Sequence, residues 1–512
     1  MRIEKTIKNL VYSYVFKVIS LLLNFVVRIV FVKFLAVEYL GVSGLFSNIL
    51  SVLSFAELGI GSAITFCLYK PLEEKDQDKI RTLIDLFKRC YLVIALVVII
   101  AGLCCVPFLD VLTNHSTLPN LTLIYILYLS DTVISYFGAD KQSLLMADQK
   151  RYLVTRNTAL IQFVRSIVQI LFIVITKNFF VYLSLQVICQ ILTVLYLKYT
   201  ADKEYPFLRN KETITPLSKD EKQSIITNVK AIVMHKVGAI AVNNTDNIII
   251  SSFLGLAITG IASNYVLIIN SVNIIIWQLS YSTSASVGNL IASDVKKDYV
   301  EKIFNRLDFL NYSLYLFATV LLSTLLKPLI GVLGKEFGLD DLTVLFLCIN
   351  FMIAGSRTVV NQFKETGGLF VYDKYKALCE AAINLVVSIW LVQKLGLLGV
   401  YIGTFACYIL VGVWWEQKVL FNKLFQKSFF SYNLQWIRRF LLTVSLSTLL
   451  IWVRNSLDLS GLIGFIVMGC IDMIVVLTVY YVCYHQTDEY QYFKEFIYGK
   501  VTKNAKNRLE KL

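Results

Sequence analysis

Apolar runs of about 20 residues, each long enough to cross a bilayer as a helix, recur from one end of the sequence to the other between short polar connections. By that spacing the predicted spans are 10–34, 40–69, 86–112, 119–146, 157–176, 179–199, 228–253, 257–286, 308–333, 341–363, 377–394, 397–421, 438–454 and 461–484. The pattern predicts an all-α polytopic membrane protein of about fourteen transmembrane helices. The first run is too long for a signal-peptide core and has no small-residue cleavage site, so it is read as a retained span. Two stretches, "DQDKIRTLIDLFKR" and "DVKKDYVEKIFNRLDF", precede the third and ninth spans and read as amphipathic helices on the inner surface.

The longest polar connection, 200–227, falls between the sixth and seventh spans. Shifting the chain by 219 residues against itself, without a gap, sets the segment from Ile7 over the segment from Ile226. Asn9 then meets Asn228, Lys17 meets Lys236, Asn24 meets Asn243, and Gly41 meets Gly260. Apolar helices align by chance through shared Ile, Leu and Val, but not through matched Lys and Asn. The chain therefore reads as two six-helix lobes, 1–200 and 228–422, joined by a cytoplasmic linker at 201–227. A further helix pair (438–484) and a cytoplasmic tail (485–512) follow. The shift covers an even number of crossings, so the repeat is parallel, a plan found in transporters whose substrate path lies between the halves.

Several spans carry polar residues where lipid tails should be. In "VFKVISLLLNFVVRIV", Lys17, Asn24 and Arg28 are spaced by seven and four residues, which sets them along one helix face. Arg165, His235, Lys236, Asn243 and Arg357 lie inside other spans, as do Glu57, Asp131 and Asp246, while Glu380 stands near a helix start. A charge at mid-membrane costs roughly 2.5–3.5 kcal/mol on insertion scales, so a repeated one points to a wet cavity lined by protein. Two bland readings stay open: snorkelling of Lys17 and Arg28 to the interfaces, and structural ion pairs such as Lys17 with Glu57. On the functional reading, Lys17, Asn24, Arg28, Arg165, Lys236, Asn243 and Arg357 bind an anionic, phosphate-bearing substrate, for which Arg and Lys are suited. Glu57, His235 and Asp246 are the candidates for ion coupling.

Composition agrees with the membrane reading: 57% of residues are hydrophobic, only 16% are charged, and the mean hydropathy is +0.66. The net charge of +14 would suggest nucleic acid in a soluble protein. Here the basic residues gather in alternate connections, among them "MRIEKTIK", "KPLEEKDQDKIR" and "SDVKKDYVEKIFNR", while the other connections hold isolated cations such as Lys177, Lys335, Lys394 and Arg454. The positive-inside rule then puts both termini in the cytoplasm, and no nucleic-acid partner is expected. The ten cysteines form no CxxC pair and read as small buried apolar residues. The three histidines are far apart and lack metal spacing, so no metal or cofactor is expected.

With these features together, the chain resembles a polysaccharide flippase of the Wzx type, within the superfamily of multidrug and toxin extruders and the lipid II flippase. The resemblance spans essentially the full length. It is carried by "FLAVEYLGVSGLFSNILSVLSFAELGIGSAI", "NNTDNIIISSFLGLAITGIASNY" and "GGLFVYDKYKALCEAAINLVVSIWLVQKLGLLGVYIGTF", with Gly396, Gly399 and Gly403 in its turn. It implies a bacterial multi-pass protein of the cytoplasmic (inner) membrane. Such a protein moves an oligosaccharide on polyprenyl, usually undecaprenyl, pyrophosphate from the inner to the outer leaflet by alternating access through a cationic cavity. The product would be a surface polysaccharide such as capsule or exopolysaccharide, with the polysaccharide polymerase as a candidate partner and a proton or sodium ion as a candidate coupling ion. By analogy with the lipid II flippase, the helix pair 438–484 would hold the lipid tail.

The nearest rival is an ion-coupled exporter of another substrate, such as a drug or metabolite antiporter. That rival favours an anionic cavity, the reverse of these spans. A membrane-embedded polysaccharide polymerase or ligase needs an acid, base or nucleophile on a sizeable outer loop. The loops "TNHSTLPN" and "GKEFGLDD" are short and poor in such groups, so a transporter rather than an enzyme is expected.

Overall fold

The computed structural model describes residues 23–54, 67–68, 71–148, 150–209, 245–292, 296–331, 334–373, 375–457 and 461–495. Among the described residues the chain is all-α, and ten helices are long and apolar enough to cross a membrane, or eleven if one bent pair counts as a span. The other spans expected from the sequence, 10–34, 40–69 and 228–253, fall wholly or partly outside the described residues. The helices are α1 (Glu38–Leu53), α2 (Gln77–Cys105), α3 (Leu121–Tyr136), α4 (Ala139–Ala147), α5 (Arg151–Thr176), α6 (Phe179–Glu204) and α7 (Leu256–Ala292). They continue with α8 (Lys297–Gly331), α9 (Asp341–Thr366), α10 (Lys376–Leu395), α11 (Leu397–Cys407), α12 (Val413–Leu420), α13 (Phe430–Ser456) and α14 (Gly461–Tyr484).

The distribution of apolar surface fits a bilayer. The most apolar windows of α5 and α6 are only 17% and 11% buried within the protein, and residues such as Leu160, Val164, Leu171, Ile188 and Leu195 point outward. In water such faces would drive aggregation, whereas lipid tails solvate them as well as a protein core does. The chain is thus a polytopic membrane protein. Cys104, Cys379, Cys470 and Cys483 also lie on exposed faces and only Cys348 and Cys407 are buried, a correction to the reading of the cysteines as core residues.

The described residues divide into two compact units between Ser263 and Asn264, within α7. In the first unit, α2 starts where the Asp76 side chain accepts a hydrogen bond from the Lys79 backbone N–H at 3.0 Å, an N-cap that satisfies one of the helix's orphan donors. The helix then runs unbroken from Gln77 to Cys105. The amphipathic stretch expected as a separate surface helix is therefore the first turns of the span itself. Arg81 fastens this start to the carbonyl of Phe207 at 3.1 Å. The expected span 119–146 is bent by 42° between α3 and α4, where Gly138, a poor helix former, stands at the break. Along α3, hydroxyls pair with serines of the second span: Tyr128 donates to Ser43 at 2.7 Å and Tyr136 to Ser54 at 2.8 Å.

In the second unit, α8 also absorbs its amphipathic stretch and runs from Lys297 to Gly331 as one helix. The unit is built around α9, whose most apolar window is 72% buried. The hairpin of α10 and α11 turns at Gly396, with φ of +58° that other residues rarely adopt. At Gly399 a Cβ would lie 2.4 Å from the Leu391 carbonyl oxygen, so the absence of a side chain lets the two helices close. After α11 a π-helical turn, Tyr408–Gly412, leads into α12.

The helix pair α13 and α14 packs on α8 through polar contacts inside the apolar interface. Arg439 of α13 pairs with Asp308 of α8 at 2.6 Å, and Tyr432 donates to the same carboxylate at 2.9 Å. On α14, Tyr480 meets Ser313 at 2.7 Å and Tyr484 donates to Tyr312 at 3.2 Å. Arg454, which the sequence suggested as an isolated loop cation, is instead buried and pairs with Asp341 at 2.6 Å.

Candidate functional site

Of the candidate substrate-binding and ion-coupling residues, Lys17, Glu57, His235, Lys236 and Asn243 lie outside the described residues. Asn24 and Asp246 are described and half-buried. Arg28, Arg165 and Arg357 can be followed in detail.

Within the first unit, Arg28 and Arg165 belong to one polar cluster inside the membrane. Arg28 stands on the helical segment 23–34, Arg165 halfway along α5, Asp131 on α3, and Tyr182 and Gln186 on α6. The Coulomb fields of both guanidinium groups reach the Tyr182 hydroxyl, and that of Arg28 also reaches Tyr128. Arg165 lies within the electrostatic range of Asp131, whose Oδ2 accepts a hydrogen bond from Gln186 Nε2 at 2.9 Å. The other carboxylate oxygen, Oδ1, and Arg165 Nε are buried without a hydrogen-bond partner among the described residues.

Packing explains why these side chains meet. Phe31, one helical turn beyond Arg28, packs edge-on against Tyr182 with ring centroids 5.3 Å apart. Gln169, one turn beyond Arg165, donates to the Tyr182 carbonyl at 3.2 Å. The segment 23–34 and α5 are thereby both pinned to α6 near Tyr182. Guanidinium forks suit carboxylate or phosphate oxygens.

Arg357, in the second unit, has a different setting. Its Nε donates to Glu416 Oε2 at 2.8 Å and its Nη2 to Glu416 Oε1 at 2.7 Å, a bidentate pair, while Nη2 also stands 2.7 Å from Glu380. Lys376 contacts Glu416, and Lys364 pairs with Asp373. Three cations, Arg357, Lys364 and Lys376, thus face three anions, Asp373, Glu380 and Glu416, and the group is neutral as a whole. Glu416 is fully buried and Glu380 is 4% exposed, so Glu380 is a core residue and not an interfacial one. The guanidinium lies over the Tyr408 ring at 4.9 Å, and a Cβ at Gly412 would fall 2.1 Å from Glu380 Oε1. The π-helical turn thus brings bare backbone against the ion pairs.

The structure has Arg28 and Arg165 in the first unit and Arg357 in the second. It adds Tyr182 and Gln186 to the first cluster, and Glu416, Lys364, Lys376 and Asp373 to the second, none of which the sequence singled out. "SLQVICQIL" carries its glutamines in an apolar run, which was a usable signal. "VWWEQKVL" reads as a helix end meeting the membrane surface, and nothing local marks Glu416 as buried. Among the described residues no group of His, Cys, Asp and Glu is placed to hold a metal ion.

No family model matches the sequence, and neither does any curated protein. Similarity appears at the level of solved structures. A lipid II flippase, MurJ, in an inward closed conformation matches with a TM-score of 0.66 at 15% identity, over 92% of this chain and 99% of that one. An inward-facing multidrug resistance transporter of the MATE family, in the MOP superfamily, matches with a TM-score of 0.54 at 13% identity, over 79% of this chain and 96% of that one. A MATE transporter of Vibrio cholerae matches with a TM-score of 0.56 at 15% identity, over 82% of this chain and 96% of that one. At these identities the likeness is one of architecture: the chain has the fold shared by these flippase and transporter structures.

Proposed function

We propose that this protein is a flippase that carries oligosaccharide units on a polyprenyl pyrophosphate, such as undecaprenyl pyrophosphate, from the inner to the outer leaflet of a bacterial cytoplasmic membrane, for surface polysaccharide synthesis. The observation that carries this reading is the gathering of Arg28 and Arg165 around Tyr182 within the membrane-spanning helices, with Asp131 as the carboxylate at that cluster. Buried arginines held by neighbouring helices are a costly feature in lipid, and a pyrophosphate passing through the protein gives them a chemical use. The shared fold with a lipid II flippase structure supports a lipid-linked substrate.

On this reading the lobes 1–200 and 228–422 alternate access about the linker 201–227, both termini are cytoplasmic, and 438–484 holds the lipid tail. Lys17, Asn24, Lys236 and Asn243 extend the basic path, and Glu57, His235 or Asp246 couples it to a proton or sodium ion. Arg357, already tied to Glu416 and Glu380, contributes only if those pairs open during the cycle.

The test is a leaflet assay in proteoliposomes with a fluorescent polyprenyl-pyrophosphate oligosaccharide. Wild type is compared with Arg28→Ala, Arg165→Ala, Lys17→Ala and Lys236→Ala, each checked for folding. Protein-dependent flipping lost in the folded Arg28 and Arg165 variants is the expected result. Flipping unchanged in all four would reduce the basic residues to structural pairs, and no flipping of any lipid-linked glycan would overturn the function.

A further inference from the structure

Asp472 stands at the middle of α14 and is fully buried, as is Thr324 of α8, whose hydroxyl oxygen lies 2.5 Å from Asp472 Oδ2. The second carboxyl oxygen, Oδ1, is buried and has no hydrogen-bond partner among the described residues. An ionised carboxylate has about four acceptor sites, and leaving most of them empty in a dry interior is costly.

The groups that could compensate a charge there are engaged elsewhere. From α13, Arg454 is the cation whose field reaches Asp472. Its Nη2 is on Asp341 of α9 at 2.6 Å, its Nη1 on the Thr324 carbonyl at 3.0 Å and its Nε on Asn455 at 3.2 Å. From α8, Lys327 also goes to Asp341, at 2.8 Å. Thr324 has one hydroxyl proton, and within its own helix that hydroxyl stands 3.1 Å from the Leu321 carbonyl and 3.2 Å from the Val320 carbonyl. When the hydroxyl donates to one of those carbonyls, as helical threonines do, its contact with Asp472 needs a proton on the aspartate.

We propose that Asp472 is a proton-binding site: it is protonated in this state, donates to Thr324 Oγ1, and so forms a proton-dependent latch holding α14 on α8. Thr324 is the junction, taking Asp472 on its hydroxyl and Arg454 on its carbonyl, so one residue joins α8, α13 and α14. Loss of the proton places a bare carboxylate against a hydroxyl already committed to its own helix, and the contact is released. The proposal does not depend on which substrate is carried.

The test uses the full-length protein in lipid nanodiscs. The infrared difference spectrum between light and heavy water at neutral pH should contain the carbonyl band of a protonated carboxylic acid, and Asp472→Asn should remove it. If Asp472→Asn does not fold, Thr324→Val keeps the acid and should shift the same band, because its acceptor is gone. Thermal unfolding should show wild type losing stability as pH rises until the native acid gives up its proton, since the folded state binds that proton more tightly than the unfolded chain. Asp472→Asn should lack that slope. Absence of the band at neutral pH, or a band left intact by Asp472→Asn and unshifted by Thr324→Val, overturns the proposal. So does an identical pH slope in wild type and Asp472→Asn.

Discussion

Gly41 and Gly260 each stand where a Cβ would collide with backbone of the other's helix. A Cβ on Gly41 would fall 1.9 Å from the Leu256 carbonyl oxygen, and one on Gly260 would fall 2.4 Å from the Val37 carbonyl oxygen and 3.0 Å from the Gly41 nitrogen. Backbone cannot swing aside as a side chain can, so α1 and the start of α7 approach as closely as they do only with glycine at both positions. These are also the glycines that the internal alignment superimposes. Gly41→Ala and Gly260→Ala should each destabilise the protein by about 1–3 kcal/mol, the usual cost of overpacking. Gly331, with nothing within 4 Å of its would-be Cβ, is the control: Gly331→Ala should be neutral or slightly stabilising. Equal melting temperatures for Gly41→Ala and Gly331→Ala in detergent would rule out the tight crossing.

Span positions were readable from the sequence because the lipid constraint is local: about 20 apolar residues suffice whatever they pack against. The internal alignment set Gly41 over Gly260, but nothing in it said that the two would meet. The partners of the buried charges could not be read either. Arg357 and Arg165 look alike in sequence, each a lone arginine in an apolar run. Their difference lies in Glu416 and Glu380 for one and Asp131 for the other, residues brought near by helices far away in the chain. The start of α8 was misread for a related reason. "DYVEKIFNRLDF" has the alternation of a surface helix, yet Asp308 within it is buried against Arg439.

The bidentate pair of Arg357 with Glu416 makes a sharp stability prediction. Glu416 is fully buried, so removing the guanidinium leaves two buried carboxylates with Lys376 as the cation in contact with them. Breaking a buried pair from one side typically costs 3–5 kcal/mol, or about that, and Arg357→Ala should fall in this range. Arg357→Lys keeps the charge but not the fork and should lose roughly half as much. The triple change Arg357→Leu, Glu380→Leu, Glu416→Leu removes all three charges and should recover much of the loss. Chemical denaturation of the purified variants measures each step, and a loss below about 1 kcal/mol for Arg357→Ala would show that water reaches the site.

Lys150, between α4 and α5, donates to Asp148 and Glu204, both at 2.9 Å. Partial burial alone would favour its neutral form, but the hydrogen bonds to Glu204 and Asp148 outweigh that and hold its pKa above the ordinary lysine value. A lysine raised in this way contributes its stability fully below the unfolded value near about 10.4 and loses it as pH climbs through the higher folded value. Lys150→Ala should therefore be less stable than wild type by about 1 kcal/mol at neutral pH, a modest figure because the groups are partly exposed. The gap should be constant through the neutral range and close only in strong alkali. A gap that narrows between mildly acidic and neutral pH would assign the pair's strength to its carboxylates instead.

Asp131 opposes the two arginines of the first cluster, and its removal should strengthen the cluster's hold on anions. Asp131→Asn preserves an acceptor for Gln186 Nε2, which now binds Oδ2 at 2.9 Å, so the local packing is kept while the negative charge beside Arg165 is lost. If the cluster receives a pyrophosphate, the variant should bind a polyprenyl-pyrophosphate lipid about three- to tenfold more tightly, a gain on the order of 1 kcal/mol. It should also flip that lipid more slowly, because tighter binding in the middle of the path delays release on the far side. Arg165→Ala should have the opposite effect on affinity, and the double variant should lie between them, since residues in one charged network do not add independently. Titration of the lipid by intrinsic tryptophan fluorescence in detergent, at two salt concentrations, reads the affinities. Weaker binding in Asp131→Asn than in wild type would mean that Asp131 holds Arg165 in position and that the arginine, left without its carboxylate, turns away from the substrate.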